Sequence, residues 1–262
     1  MSGATDAIRF LSRSENRTEV LRVLGENSQL DRYAIEEHVE ASRRTVIRTL
    51  EALAEQGYIE ELGDGYQLTA LGSLINRSYQ QLCTDTELAR RLNPFLANVS
   101  DDALDLDPRA LEDADIVTAT EASPYSVLDR TLTMRRNAQQ IREIAPMIEQ
   151  KSLEQLAQRV HGGELIEFEV IIPEAAMQAG GSNPDYQNMM ETISEAEEVD
   201  QFIHPGATEV FLCIADETVA IGTTKKGMPH ALVVTTNPVA KQWADETFER
   251  YRDQSARPSK TS

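Results

Sequence analysis

The apolar positions between residues 14 and 68 fall first in helical and then in alternating order. Val20, Leu21, Val23 and Leu24 form a helical stripe within Arg17–Glu26, with Ser14 as cap and Gly25 as a stop signal. Before it, residues 1–5 read as a frayed end, and Ile8, Phe10 and Leu11 as apolar anchors. Asp31 is placed to cap a second helix whose inner face carries Ile35 and Val39, while His38 reads as a surface histidine. Ser42 opens a third helix, in which Val46, Leu50 and Leu53 recur at spacings of four and three and so share one buried face. Gly57 ends it. Tyr58–Leu62 then alternates as a strand, Gly63-Asp64-Gly65 makes a turn, and Tyr66-Gln67-Leu68 returns. Two short helices meeting at a tight turn, followed by a small hairpin, predict a winged helix-turn-helix.

Downstream, Ile75, Leu82, Ala89 and Leu96 recur every seven residues, with Leu74, Leu88 and Phe95 as a second line broken at Gln81. The spacing predicts a helix over 71–96 that either packs along a partner helix in a dimer or docks on its own domain. Residues 98–115 oppose seven acids (Asp101, Asp102, Asp105, Asp107, Glu112, Asp113, Asp115) to Arg109 and read as a solvated linker. Strands are expected at 115–120, 165–172, 201–204, 209–215, 218–223 and 231–235. Helices are expected from Tyr125 toward Ile144 and at 153–160, 185–194 and 238–252. The expected class is α+β: a winged helix over 1–70, a linker or dimerisation helix and acidic linker over 71–104, an α/β domain over 105–252 and a disordered tail over 253–262.

Charge complicates the picture. Forty-four acids against 25 bases give a net charge of −19, unfavourable for contact with phosphates. Only five bases are lysine (Lys151, Lys225, Lys226, Lys241, Lys260). An acid-rich, lysine-poor surface resembles proteins of salt-loving archaea. At molar salt the screening length is ~3 Å, so an acidic body hardly repels DNA. No apolar run approaches the ~20 residues that span a bilayer. The first residues lack a basic start followed by an apolar core, and Cys83 and Cys213 belong to no metal or redox motif. A cytoplasmic protein with no membrane association, no metal and no cofactor is expected.

Within this frame, the third predicted helix carries the candidate chemistry. Arg43, Arg44, Thr45 and Arg48 lie off its apolar face and near its start, and Glu51 and Glu55 follow. A basic surface confined to the first two turns suits a helix that enters the major groove of double-stranded DNA, with Ser42 and Thr45 as further phosphate or base partners. The alternative is a solvated face with local pairs such as Arg48 with Glu51. Asp64 makes the wing tip acidic, and Tyr66 is either a backbone contact or a core aromatic.

The segment SRRTVIRTLEALAEQGYIEELGDGYQLTALG (42–72) resembles the winged helix of archaeal transcriptional regulators. The resemblance implies that the helix opening at Ser42 reads DNA and that the hairpin at Gly63–Gly65 flanks the backbone, although the acidic tip departs from basic wings. ASPYSVLDR, GGELIEFEVIIP and NPVAKQWADETFERYR, within 105–252, are similar to the C-terminal sensor domain behind such winged helices, including regulators linked to methanogenesis. Some of these domains have folds akin to phospholipase D, whose chemistry needs His-x-Lys. Here His161 precedes Gly-Gly, His204 precedes Pro-Gly and His230 precedes Ala-Leu, so the catalytic pair is missing and a binding role is implied.

For such an effector, two spots are candidates. Ser123 and Tyr125 open a helix whose N-terminus can hold an anion, and Lys225 and Lys226 form the most basic spot outside the third helix. Both also have structural readings, as an ordinary cap and an ordinary turn. No phosphate-binding loop, dinucleotide fingerprint, nucleophile elbow or zinc-protease motif occurs. The expected function is a homodimeric transcription regulator controlled by a small-molecule effector. The competing expectation is an enzyme on nucleic acid or a phosphodiester, docked through the winged helix.

Overall fold

The computed structural model describes residues 2–99, 104–163, 167–180, 184–208, 210–225 and 228–258. It divides into two compact units, Met1–Glu87 and Leu88–Ser262.

In the first unit, α1 (Ser2–Ser12), α2 (Glu15–Glu26), β1 (Leu30–Asp31), α3 (Arg32–His38) and α4 (Arg43–Glu55) precede the hairpin β2 (Ile59–Leu62) and β3 (Gly65–Leu68). The helix α5 (Ala70–Leu96) begins directly after it. The strands form a small antiparallel sheet in the order β1-β3-β2. The core holds Val20, Leu21, Leu24, Ile35, Val39, Val46, Leu50 and Leu53, the positions that helical spacing selects. Burying each such side chain contributes roughly 1.5–3 kcal/mol.

Two local expectations change. Residues 2–5 are helical, because α1 is anchored: Leu11 is buried, and Phe10 lies edge-on to Tyr58 with the Arg17 guanidinium 3.9 Å from its centroid. Gly25 does not stop α2 but lies inside it, where a Cβ would meet Asn76 Nδ2 at 2.5 Å. Its lack of a side chain serves close packing against α5.

The junction of wing and α5 is equally tight. The Thr69 hydroxyl donates to Gly57 O at 2.7 Å and accepts from Gly72 N at 2.9 Å. A Cβ on Gly72 would lie 1.8 Å from Tyr58 O, and backbone cannot yield that much. Gly72→Ala should therefore lower the thermal midpoint of the first unit by several degrees, a cost of roughly 1–3 kcal/mol for overpacking. An unchanged midpoint in circular dichroism melts would contradict this.

The second unit takes in the C-terminal part of α5, a 3-10 turn at Pro108–Leu111, β4 (Asp115–Thr118), α6 (Ser126–Arg136), β5 (Gln140–Ile144) and α7 (Gln150–Gly162). There follow β6 (Glu167–Pro173), α8 (Glu174–Gly180), α9 (Pro184–Ser194), β7 (Val199–His204), β8 (Phe211–Ala215), β9 (Thr218–Lys225), β10 (Met228–Thr235) and α10 (Pro238–Asp253). The seven strands form one mixed sheet, β4-β10-β9-β8-β5-β6-β7, parallel only across β5-β6-β7. Strand alternation sends Ile144, Ile171, Leu212, Ile221 and Val233 to the α10 side, with Trp243 and Phe248. It sends Ile141, Phe168, Val170, Cys213 and Leu232 to the side of α6, α7 and α9. Both faces are covered, and the class is α+β.

Several sequence expectations are corrected here. The helix from Tyr125 toward Ile144 ends at Arg136, and its second half is β5, which pairs with β6 and β8. Asp216, at φ 51° in the β8–β9 turn, accepts from the Gln139 and Gln140 amides and so fixes where β5 starts. α8 was not foreseen. The acidic segment is not simply solvated: Leu106, Ala110, Leu111 and Ala114 are buried in the core between its acids. Asp101 and Asp102 lie outside the described residues. The tail, expected to be disordered from 253, pairs through Ala256 with Ile203 in a bridge bonded in both directions, and 259–262 lie outside the described residues. The unit boundary falls at 87/88, inside α5, because Leu88, Leu92 and Phe95 are buried in the second unit's core.

Candidate nucleic-acid interface

The third helix of the sequence pattern is α4, and its geometry follows from its cap. Ser42 Oγ accepts the Thr45 amide at 3.3 Å and lies 2.9 Å from Thr45 Oγ1, so both hydroxyls are engaged in starting the helix. Val46, Thr49, Leu50 and Leu53 are buried. That fixes the rotation of α4 and leaves Arg43, Arg44 and Arg48 exposed on the other side. Arg44 and Arg48 have no ion-pair partner among the described residues, and the pairing of Arg48 with Glu51 does not form there. Arg43 is partly engaged: its Nε lies 3.9 Å from Glu36 Oε1, and its guanidinium 5.9 Å from the Tyr33 ring centroid.

The fold adds two residues that sequence reasoning passed over. Asp31 caps α3 by accepting the Ala34 amide at 2.9 Å. This places Arg32 and Tyr33 in the first turn of α3. Tyr33 is exposed, with Arg32 4.9 Å from its centroid and Arg43 on the same ring. An aromatic off the Ile35/Val39 stripe was the available signal. The patch thus combines cations with a flat stacking surface.

The wing contributes less. Gly63, at φ 59°, makes the tight turn and Asp64 is exposed at the tip. Gly65 is required by proximity, since a Cβ there would lie 3.0 Å from Leu30 O on β1. Tyr66 is partly buried against the core, and burial, then the nearby Glu61 carboxylate, raises its phenol above the ordinary range.

In the second unit, Ser123 is exposed and its amide is held by Thr120 O at 3.1 Å. Tyr125 is exposed, with Lys151 Nζ 5.0 Å from its ring centroid. Lys225 is exposed at the end of β9, opposite Met228. Lys226 lies outside the described residues. None of the three described residues lines the apolar cavity on the α6/α7 face of the sheet. That cavity is bordered by a buried ion pair, Arg135–Glu143, beneath which lies Cys213. Burial, then the Glu143 carboxylate, pushes the Cys213 thiol up, so it stays protonated as a packing residue.

With this geometry in place, residues 5–91 match the family described as HVO_A0261 N-terminal domain. Residues 124–254, half of the chain, match the family described as Methanogenesis regulatory protein FilR1, middle domain. The chain belongs to this family of FilR1-type regulators. No curated protein matches the chain. Among solved structures, TrmBL2, described as an archaeal chromatin protein with a novel mode of DNA binding, has a TM-score of 0.42 and 12% identity over 98% of this chain and 100% of its own. NucT from Helicobacter pylori has a TM-score of 0.44 and 8% identity over 55% of this chain and 98% of its own. Among the described residues, no helix of this FilR1-type chain is long and apolar enough to cross a membrane.

Proposed function

We propose that this FilR1-type protein is a DNA-binding transcription regulator that reads its site with the N-terminal half of α4. One observation carries the reading: Arg44 and Arg48 are exposed in the first two turns of a helix whose opposite face is locked into a core. Cations so placed can reach phosphates and guanine edges when the helix lies in a major groove. Ser42 and Thr45 hold the helix start, and the one hydroxyl proton not used between them can be donated to a phosphate oxygen. Arg43 and Tyr33 flank it, and Tyr66 serves mainly to pack the wing. The acidic tip makes the wing a weak contributor. The assay is a titration of labelled duplex DNA with the full chain across a salt series. Affinity that falls as salt rises is the expected signature of phosphate contact, and no affinity at any salt concentration removes the reading.

A single copy offers few cations against a net charge of −19. The second part of the proposal is a homodimer, whose two copies of α4 would meet half-sites roughly 34 Å apart. Its support is on α5. Leu71, Leu74 and Leu82 are 50%, 59% and 48% exposed and, at spacings of three and eight, lie along one stripe. Ile75 packs on the winged-helix core and Leu88 and Phe95 in the second unit, so the heptad line available to a partner is shorter than the sequence suggested. Sedimentation should give a dimer. Leu74→Glu with Leu82→Glu should shift it to monomer and weaken duplex binding at least tenfold, because two charges would be buried in an apolar seam. A monomeric wild-type chain would remove the dimer.

The third part is an effector. A small molecule bound in the second domain would shift DNA affinity through its differential affinity for two arrangements of the dimer. What supports this is that residues 124–254 match the middle domain of a methanogenesis regulatory protein.

A further inference from the structure

We propose that the cavity beside Arg135–Glu143 is a binding site for a small, neutral, mainly apolar molecule carrying one hydrogen-bond acceptor, such as a ketone or amide oxygen. The site stands on its own geometry. Only its regulatory consequence rests on the effector reading.

The cavity measures about 110 Å³. Val127, Thr131 and Arg135, spaced by four on α6, form one wall. Phe168 and Val170 of β6 and Leu156 of α7 add further apolar lining. An apolar cavity of ~150 Å³ holds benzene, so this one suits a molecule of about six non-hydrogen atoms. A close-packed interior has little reason to keep such a space unless something fills it.

The polar groups around it are nearly all engaged. The Thr131 hydroxyl donates to Val127 O at 3.0 Å, within its own helix. The Glu149 carboxylate accepts the Ser152 amide at 3.0 Å and caps α7. Arg135 and Glu143 are 7% and 4% exposed, and one terminal nitrogen of Arg135 bonds Glu143. The exceptions are Arg135 Nε and Thr223 Oγ1, both buried and without a hydrogen-bond partner among the described residues. Buried donors are nearly always paired. Each can donate, and a ligand oxygen would accept from either.

Charge fixes the rest of the ligand class. Glu143 already balances Arg135, so an anion would bring an uncompensated charge next to a buried carboxylate. A neutral acceptor carries no such penalty.

Access is also provided. The loop Pro146-Met147-Ile148, directly after β5, borders both this cavity and an open cleft of about 510 Å³. That cleft is lined by Pro173, the last residue of β6, and by Pro205 and Thr208 after β7, at the carboxyl ends of the three parallel strands. This is where open α/β sheets receive ligands.

The test uses the full chain with ¹³C-methyl methionine, since Met147 and Met190 line the cavity. The probes are cyclopentanone, methylcyclopentane and isobutyrate, which match in size but differ in acceptor and charge. Cyclopentanone should shift the Met147 and Met190 methyl signals saturably and bind about tenfold more tightly than methylcyclopentane, the value of one hydrogen bond to a charged donor. Isobutyrate should bind less well than cyclopentanone. Ala145→Leu, which fills the space from the end of β5, should abolish the shifts with the fold intact, and Thr131→Leu serves if that variant does not fold. Absence of shifts with every probe, shifts that persist in the filled variant, or tighter binding of isobutyrate would overturn the site. Duplex affinity is measured in parallel with and without cyclopentanone. Saturable shifts with unchanged DNA affinity uphold the site and remove the effector role. Lack of shifts in a chain that still binds DNA removes the site alone.

Discussion

Arg44→Ala combined with Arg48→Ala should weaken binding to duplex DNA by about a hundredfold, with the fold unchanged. Each side chain that contacts a base or phosphate contributes about 1–3 kcal/mol, and tenfold per residue is the low end of that range. The dependence of affinity on salt should flatten by about two phosphate contacts if both arginines meet the backbone. Stability should hold within ~0.5 kcal/mol, because both residues are exposed and make no ion pair among the described residues. Arg43→Ala alone should cost less, since Glu36 and Tyr33 already engage that guanidinium in the free protein. Anisotropy of a labelled duplex measures both variants and the parent, at moderate and at molar salt. If the double variant binds as tightly as the parent, α4 is not the reading helix.

Arg135→Met should be the most destabilising of the substitutions considered. It leaves the Glu143 carboxylate in a dry, low-dielectric site with its partner gone, and breaking a buried pair in this way costs about 3–5 kcal/mol. Glu143 is 4% exposed, so water cannot replace the guanidinium without opening the α6 face. Removing both charges together, as Arg135→Met with Glu143→Leu, should recover most of the loss, because two apolar side chains of similar volume need no partners. Trp243 is the single tryptophan and packs in the second unit's core. Its fluorescence in denaturant therefore reports that unit separately, which matters in a chain whose two units need not unfold together. A loss below about 1 kcal/mol in the single variant would show that the site relaxes or hydrates, contrary to its burial.

The winged helix was legible because its signals are local. A cap at Ser42, apolar positions every three or four residues and a glycine-containing turn each act within one or two turns of chain, and each appears in the structure as read. The second unit was harder wherever local preference and tertiary pairing disagree. Residues 140–144, Gln-Ile-Arg-Glu-Ile, continue a helical run from α6, yet they form a strand because β6 and β8 are there to pair with. Leu106 and Leu111 sit among acids and look solvated, yet they are buried because the sheet and α10 leave apolar surface for them to cover. Gly25 reads as a stop when alone and as a packing contact once Asn76 is beside it.

The same division holds for the candidate sites. Arg43, Arg44 and Arg48 could be assigned to one helix face from spacing alone, because the helical period sets which side chains lie together. Tyr33 and Arg32 joined them only when α3 and α4 were brought together in space. Ser123, Tyr125 and Lys225 were chosen for local chemistry, whereas the cavity draws on α6, α7 and the strands β5 and β6, which no short window connects. The sequence by itself determined the winged helix, its basic face and the class of the chain, since those follow from periods of two and 3.6 residues and from caps. Only the tertiary structure decided where α5 passes from one unit to the next, which acids surround core residues and where Arg135 meets Glu143, because burial and pairing across the sheet depend on residues distant in sequence.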